Sequence, residues 1–361
     1  MTTVIDALVR PEIQAIPAYR VAAADGMIKL DAMENPYGWP DELKAEWLET
    51  LRGLDLNRYP DPNGEALHTA LRETMGIGPE FELLLGNGSD ELIQMLAMTV
   101  GGPGRRLLSL DPGFVMYRQI AQCAGMEYVG VPLRADFAID LPAVLAAIER
   151  ERPALIFLAY PNNPTGNRFD SEDMVRIIEA APGLVVVDEA YAPFTDTSFL
   201  GLLGDWPNLL VMRTVSKMGL AGLRLGYLVG PRDWLAQIDK TRLPYNINVL
   251  TQVSAVFALR HKALFDAQTR AIREERARLF AALATLDGLH PYPSEANFIL
   301  VRTPRGRAGS LFSALCERGV LVKNLDGSDP ALADCLRITV GTPEENAALV
   351  DALRSALCAS G

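Results

Sequence analysis

Between residues 81 and 230, short apolar runs alternate with amphipathic stretches. The runs FELLL, RLLSL, EYVGV, ALIFLA, LVVVD, LLVMR and RLGYLVG are leucine-rich or β-branched and show little period-two alternation. Strands of that kind are covered on both faces, as in a mostly parallel sheet flanked by helices. The stretches between them read as those helices. SDELIQMLAMTV, starting at Ser89, has a serine in the capping position and two acids in its first turn. LPAVLAAIERER and SEDMVRIIEAA are amphipathic. The pattern predicts an α/β fold with a doubly wound, seven-stranded sheet. It occupies a large domain over residues 41–247.

The C-terminal third reads differently. One long helical stretch, Asn248 to Thr285, leads to the run ANFILVRT, a helix near GSLFSALCERG, the short strands VLVKNL and CLRITVG, and a final helix PEENAALVDALRSAL. This predicts a smaller α+β unit. The first 40 residues, rich in proline and turn formers, are expected to pack against it. The small domain is therefore read as residues 1–40 and 248–361. Internal repeats and low-complexity tracts are absent from the sequence.

Composition narrows the function. The chain has 361 residues, enough for two domains, and a formal net charge of −11. That balance, with no block of Lys or Arg, argues against nucleic-acid binding. An anionic ligand would have to be held by a few placed cations. The four cysteines lie far apart with no CxxC pair, and the three histidines are scattered, so metal and dithiol chemistry lack support. The N-terminus has no signal pattern and no apolar run reaches the length of a membrane span. A cytoplasmic setting is expected.

The candidate chemistry lies where the predicted strands end. In open parallel sheets, ligands bind outside the carboxyl ends of the strands. The residues that follow successive strands are GNGSDE, DPGFVMY, YPNNPTG, DEAY and RTVSK. Backbone N–H groups at Gly88, Ser89 and Asp90, at a helix start, can hold a phosphate. Arg224 supplies a cation for it, and Thr214 and Ser216 supply hydroxyls. Asp188 ends a very apolar strand, where a carboxylate is costly unless paired; a protonated pyridine nitrogen would pair with it. Asn163 and Tyr191 can both hydrogen-bond a phenolic oxygen on the same ring, and Phe114 offers a stacking face. Lys217, set in the apolar stretch TVSKMGLAGLRLGY, is placed to act as an amine nucleophile. Each feature has a plainer reading as a turn, a cap, core filler or a snorkelling lysine. Together they describe pyridoxal 5′-phosphate held by a lysine Schiff base and an aspartate.

At these residues the sequence resembles the fold type I aminotransferases, and most closely the histidinol-phosphate aminotransferase family. LDAMENPYG, RYPDPN, GNGSDELI, PNNPTG, VVVDEAY, SKMGLAGLRLGY and LRITVGTPEEN follow that family's pattern in order over nearly the whole chain. The resemblance implies that Lys217 links to the cofactor and moves the substrate proton, and that Asp188 keeps the ring nitrogen protonated. It implies that Phe114 stands where the family usually has a stacking tyrosine. Arg337 would bind the substrate's anionic end, with Lys323 where a second arginine is usual and Asn35 near the substrate. Tyr59 and Tyr19 would reach the other subunit's cofactor and substrate, which implies a homodimer with shared active sites. The implied reaction is transamination of L-histidinol phosphate with 2-oxoglutarate. The competing readings are an aromatic amino-acid aminotransferase, a threonine-phosphate decarboxylase, and a non-catalytic cofactor-binding regulator.

Overall fold

The structure is a computed structural model and describes residues 4–18 and 23–358. Its strands in chain order are β1 (Ile28–Leu30), β2 (Glu82–Gly86), β3 (Arg106–Asp111), β4 (Glu127–Pro132), β5 (Leu155–Ala159), β6 (Leu184–Asp188), β7 (Leu209–Thr214), β8 (Gly226–Gly230), β9 (His290–Pro291), β10 (Phe298–Arg302), β11 (Val320–Asn324) and β12 (Cys335–Thr339). Seven of them form the large sheet, in the order β2-β8-β7-β6-β5-β3-β4. β8 alone is antiparallel to its neighbours. The other six strands therefore end at one edge, and β8 starts from that edge. Every residue of β5 and β6 is buried, which is why these runs carry no alternation. All seven predicted strands are present.

The second sheet runs β1-β11-β12-β10-β9. β1 joins it in parallel with β11, so the segment around residue 30 does belong beside the C-terminal unit. Residues nearer the N-terminus do not: Arg10 donates a hydrogen bond to the Cys123 carbonyl, at the end of the helix Val115–Cys123 that flanks the large sheet. The described part of the first 40 residues is thus split between the two sheets.

The long helical stretch is also divided. Helices α1 (Val249–Arg260) and α2 (Lys262–Ala284) meet at His261, whose φ of −102° and ψ of 25° are not helical. α1 packs against the helices Asp41–Leu51 and Glu65–Met75, whereas α2 packs against β9 and β10. Two different packing partners require two axes. Among the described residues, no helix is long and apolar enough to cross a membrane, and no cluster of His, Cys, Asp or Glu could hold a metal.

Candidate active site

The shared strand edge forms a cavity of about 110 Å³. Its wall includes ten of the residues singled out above: Ser89, Asp90, Phe114, Asn163, Asp188, Tyr191, Thr214, Ser216, Lys217 and Arg224. The cavity has a polar end at the start of the helix Ser89–Val100. Here Gly88 takes the capping position with φ +83°, so Ser89 is the first helical residue rather than the cap. A Cβ on Gly88 would stand 2.6 Å from Arg224 Nη2, so glycine is what admits the guanidinium over the helix start. Gly226, at the start of β8, lets that strand pass close to the Ser89 N–H in the same way. Arg224 itself has φ +47°, and its side chain is half exposed beside Asp90, 3.4 Å away. Glu91 does not compete there: its carboxylate accepts from the Asn87 N–H and from Asn246. Thr214 donates to the Leu225 carbonyl and lies 2.9 Å from the Ser216 hydroxyl, which fixes both at the end of β7.

Asp188 lies at the end of β6 and is 5% exposed. Its carboxylate accepts from the Tyr117 hydroxyl at 2.6 Å and from the Ala190 N–H at 3.0 Å. Burial raises its pKa from 3.8 to about 6, and the two hydrogen bonds oppose that rise. Lys217 sits in a short π-helical turn, Ser216–Leu220. Its amine lies 3.4 Å from the Ala32 carbonyl and 5.7 Å from the centre of the Tyr191 ring. The side chain is accessible through the cavity, yet its surroundings are dense. Burial first, and Arg337 second, pull its pKa from 10.5 down to about 8.

Asn163 joins the two sheets. Its amide donates to the Tyr191 hydroxyl at 3.1 Å, and its carbonyl accepts from Arg337 at 2.6 Å. Arg337 is buried in β12, donates also to the Asp31 carbonyl, and lies 5.5 Å from the centre of the Phe298 ring. Lys323 is its register partner on β11, so the two cations emerge on the same face of the small sheet.

The family model for aminotransferase class I and II matches residues 25–353. The chain belongs to this aminotransferase family. It is 56% identical, over 96% of its own length and 96% of the relative's, to histidinol-phosphate aminotransferase 2 of Nitrosococcus oceani. It is 54% identical to the histidinol-phosphate aminotransferase of Chromobacterium violaceum, over 98% and 99%. A crystal structure of histidinol-phosphate aminotransferase from Sinorhizobium meliloti, in complex with pyridoxal-5′-phosphate, superposes with a TM-score of 0.88 at 26% identity, over 98% of this chain and 99% of that one.

Not every candidate of this aminotransferase reaches the cavity wall. Tyr59 is 80% exposed and stacks on Tyr245, ring centres 4.4 Å apart. Asn35 donates to the Met218 carbonyl and to Gln268, so it holds the lysine turn from outside. Tyr19 lies outside the described residues. Conversely, sequence reasoning passed over Tyr117, and also Met33, whose sulfur lies 3.4 Å from the Tyr191 hydroxyl. Tyr117 had a signal. It stands three residues after Phe114 at a helix start, the spacing that places two side chains side by side.

Proposed function

We propose that this aminotransferase binds pyridoxal 5′-phosphate on Lys217 and transaminates L-histidinol phosphate with 2-oxoglutarate. The observation that carries the reading is one cavity lined by a helix start with a cation, a buried carboxylate, an amide–phenol pair and an amine of lowered pKa. These groups suit the cofactor's phosphate, ring nitrogen, phenolic oxygen and aldehyde carbon in turn. The 54–56% identity to two histidinol-phosphate aminotransferases supports the substrate.

The cofactor, when bound, supplies an electron sink for charge developing at the substrate Cα. The chain's own groups do the rest. Gly88, Ser89 and Asp90 offer backbone N–H groups to the phosphate, with the hydroxyls of Thr214 and Ser216 and the guanidinium of Arg224 beside them. Asp188 would hold a proton on the ring nitrogen, Asn163 and Tyr191 would bind the phenolic oxygen, and Phe114 would offer the ring a stacking face. The Lys217 amine, with its pKa lowered to about 8, would act as a general base, taking the substrate Cα proton and returning it. Arg337, with Lys323 opposite, holds the substrate's anionic end, and Asn35 fixes the turn that carries the lysine.

The large-sheet unit would then hold the cofactor, while the small sheet carries Arg337 and Lys323. Exposed Tyr59, and Tyr19, serve the second subunit of a homodimer. Lys323 favours one competing substrate class. A lysine lacks the bidentate fork that suits phosphate, so aromatic amino acids are the donors to compare. Steady-state kinetics decide. Parallel double-reciprocal lines for histidinol phosphate against 2-oxoglutarate, with kcat/KM well above that for L-phenylalanine, support the reading. A preference for phenylalanine moves the enzyme to aromatic transamination.

A further inference from the structure

Tyr117 is a buried phenol that the mechanism above does not use. Its ring is 1% exposed, lies parallel to Phe157 with centres 4.6 Å apart, and meets Phe114 edge-on at 5.5 Å. Its hydroxyl points at Asp188 Oδ2, 2.6 Å away, and both residues line the cavity. Rings packed on two sides leave the hydroxyl little freedom, so the bond is built in rather than adopted. Phe114 carries no hydroxyl, which leaves Tyr117 as the side-chain donor to this carboxylate.

We propose that Tyr117 is a positioning residue: its hydroxyl holds Asp188 ionised and oriented toward the nitrogen of the bound ring. The inference rests on the cofactor reading above. A carboxylate oxygen has more than one lone pair, so Oδ2 can accept from Tyr117 while the carboxylate still faces a pyridinium proton. Oδ1 is held in turn by the Ala190 N–H. The phenol keeps its proton, because burial and the Asp188 charge both raise its pKa. It therefore acts as a donor and never as a competing anion. Other groups around Asp188 do not substitute for it. Asp90 lies beside Arg224, Glu189 is engaged by Arg213, Ser198 and the Phe199 N–H, Tyr191 is bonded to Asn163, and Lys217 is on the π turn.

The test compares wild type, Tyr117→Phe, Asp188→Asn and the double variant, all as full-length chains stripped of cofactor. Each is titrated with pyridoxal 5′-phosphate and with an analogue whose ring nitrogen is replaced by carbon. Tyr117→Phe should weaken pyridoxal phosphate binding about tenfold, as loss of a hydrogen bond to a charged group does. It should leave binding of the carbon analogue unchanged, and should add no further loss in the Asp188→Asn background. Equal losses for both ligands would reduce Tyr117 to core packing and overturn the proposal. So would no loss for either. Failure of wild type itself to bind pyridoxal phosphate would instead sink the cofactor reading.

A second readout needs no cofactor. Asp188 is neutral below about pH 6 and charged above it. The hydroxyl matters most to the charged form, so the unfolding midpoint of Tyr117→Phe should fall further below wild type at pH 8 than at pH 5. A deficit that does not change with pH would mean that the hydroxyl has no hold on the carboxylate's ionisation.

Discussion

The two sheets treat their polar residues differently. At the edge of the large sheet, Asp188, Asn163, Thr214 and Ser216 are all buried and each is hydrogen-bonded to other protein groups. On the small sheet, Arg337 is equally buried and held, but its register partner Lys323 is only partly buried. A pre-bonded, desolvated set is preorganised: it stabilises charge strongly and tolerates little change. A single point charge at a partly open position recognises an anion loosely and can be exchanged. The cofactor end should therefore be rigid in function and the substrate end adjustable.

Mutations sharpen that contrast, the largest effects falling at the first sheet. On the proposed function, Lys217→Ala would remove the base and the attachment point together. Transamination should fall by at least about 10³-fold, and the visible absorption of lysine-linked cofactor should vanish. Asp188→Asn should cost about 10²-fold in kcat or more, the scale of losing one preorganised electrostatic partner. Arg337→Gln, on the second sheet, should raise KM for histidinol phosphate about tenfold to a hundredfold, with a smaller fall in kcat. Lys323→Arg is the smallest change and should lower that KM about threefold or less, since exposed ion pairs contribute little. A large kcat effect at Lys323, or a mild one at Asp188, would erase the distinction between the two ends.

Stability against pH offers another way in. The folded pKa of Lys217, about 8, lies below its ordinary 10.5 because burial opposes the charged form. Between those values the unfolded chain binds more protons than the folded one, so this residue makes stability rise with pH. Below about pH 8 its full penalty applies. Cofactor-free Lys217→Met should therefore melt above wild type at pH 7, and the advantage should shrink toward pH 10. A constant difference across that range would place the amine in a solvated setting.

Much of the first sheet was legible because its strands are runs too apolar to be surface. Asp188 stands out after LVVV, and Lys217 before the apolar stretch MGLAGL. Tyr117 offered only its spacing from Phe114: inside VMYRQIA it otherwise reads as helix core, and the tertiary approach of the helix to β6 gives its hydroxyl a carboxylate. The bond from Arg337 to Asn163 joins residues on two sheets, 174 positions apart, and no local pattern carries such a contact. The division of the long helical stretch escaped notice for a similar reason. His261 and Lys262 are ordinary helix residues, and the break comes from the different partners of α1 and α2. Glu189 shows the converse. It sits beside Asp188 in DEAY, yet it turns away to Arg213 and the Phe199 N–H and serves the fold.

The most direct test of the central claim is a half-reaction. The cofactor-loaded protein is mixed with L-histidinol phosphate and no keto acid, and its visible absorption is followed; L-phenylalanine is then tried in its place. Histidinol phosphate should convert the protein to the pyridoxamine form at much lower concentration than phenylalanine does. Equal or better conversion by phenylalanine would contradict the assignment of Arg337 and Lys323 to a phosphate, while leaving the fold and the cavity in place.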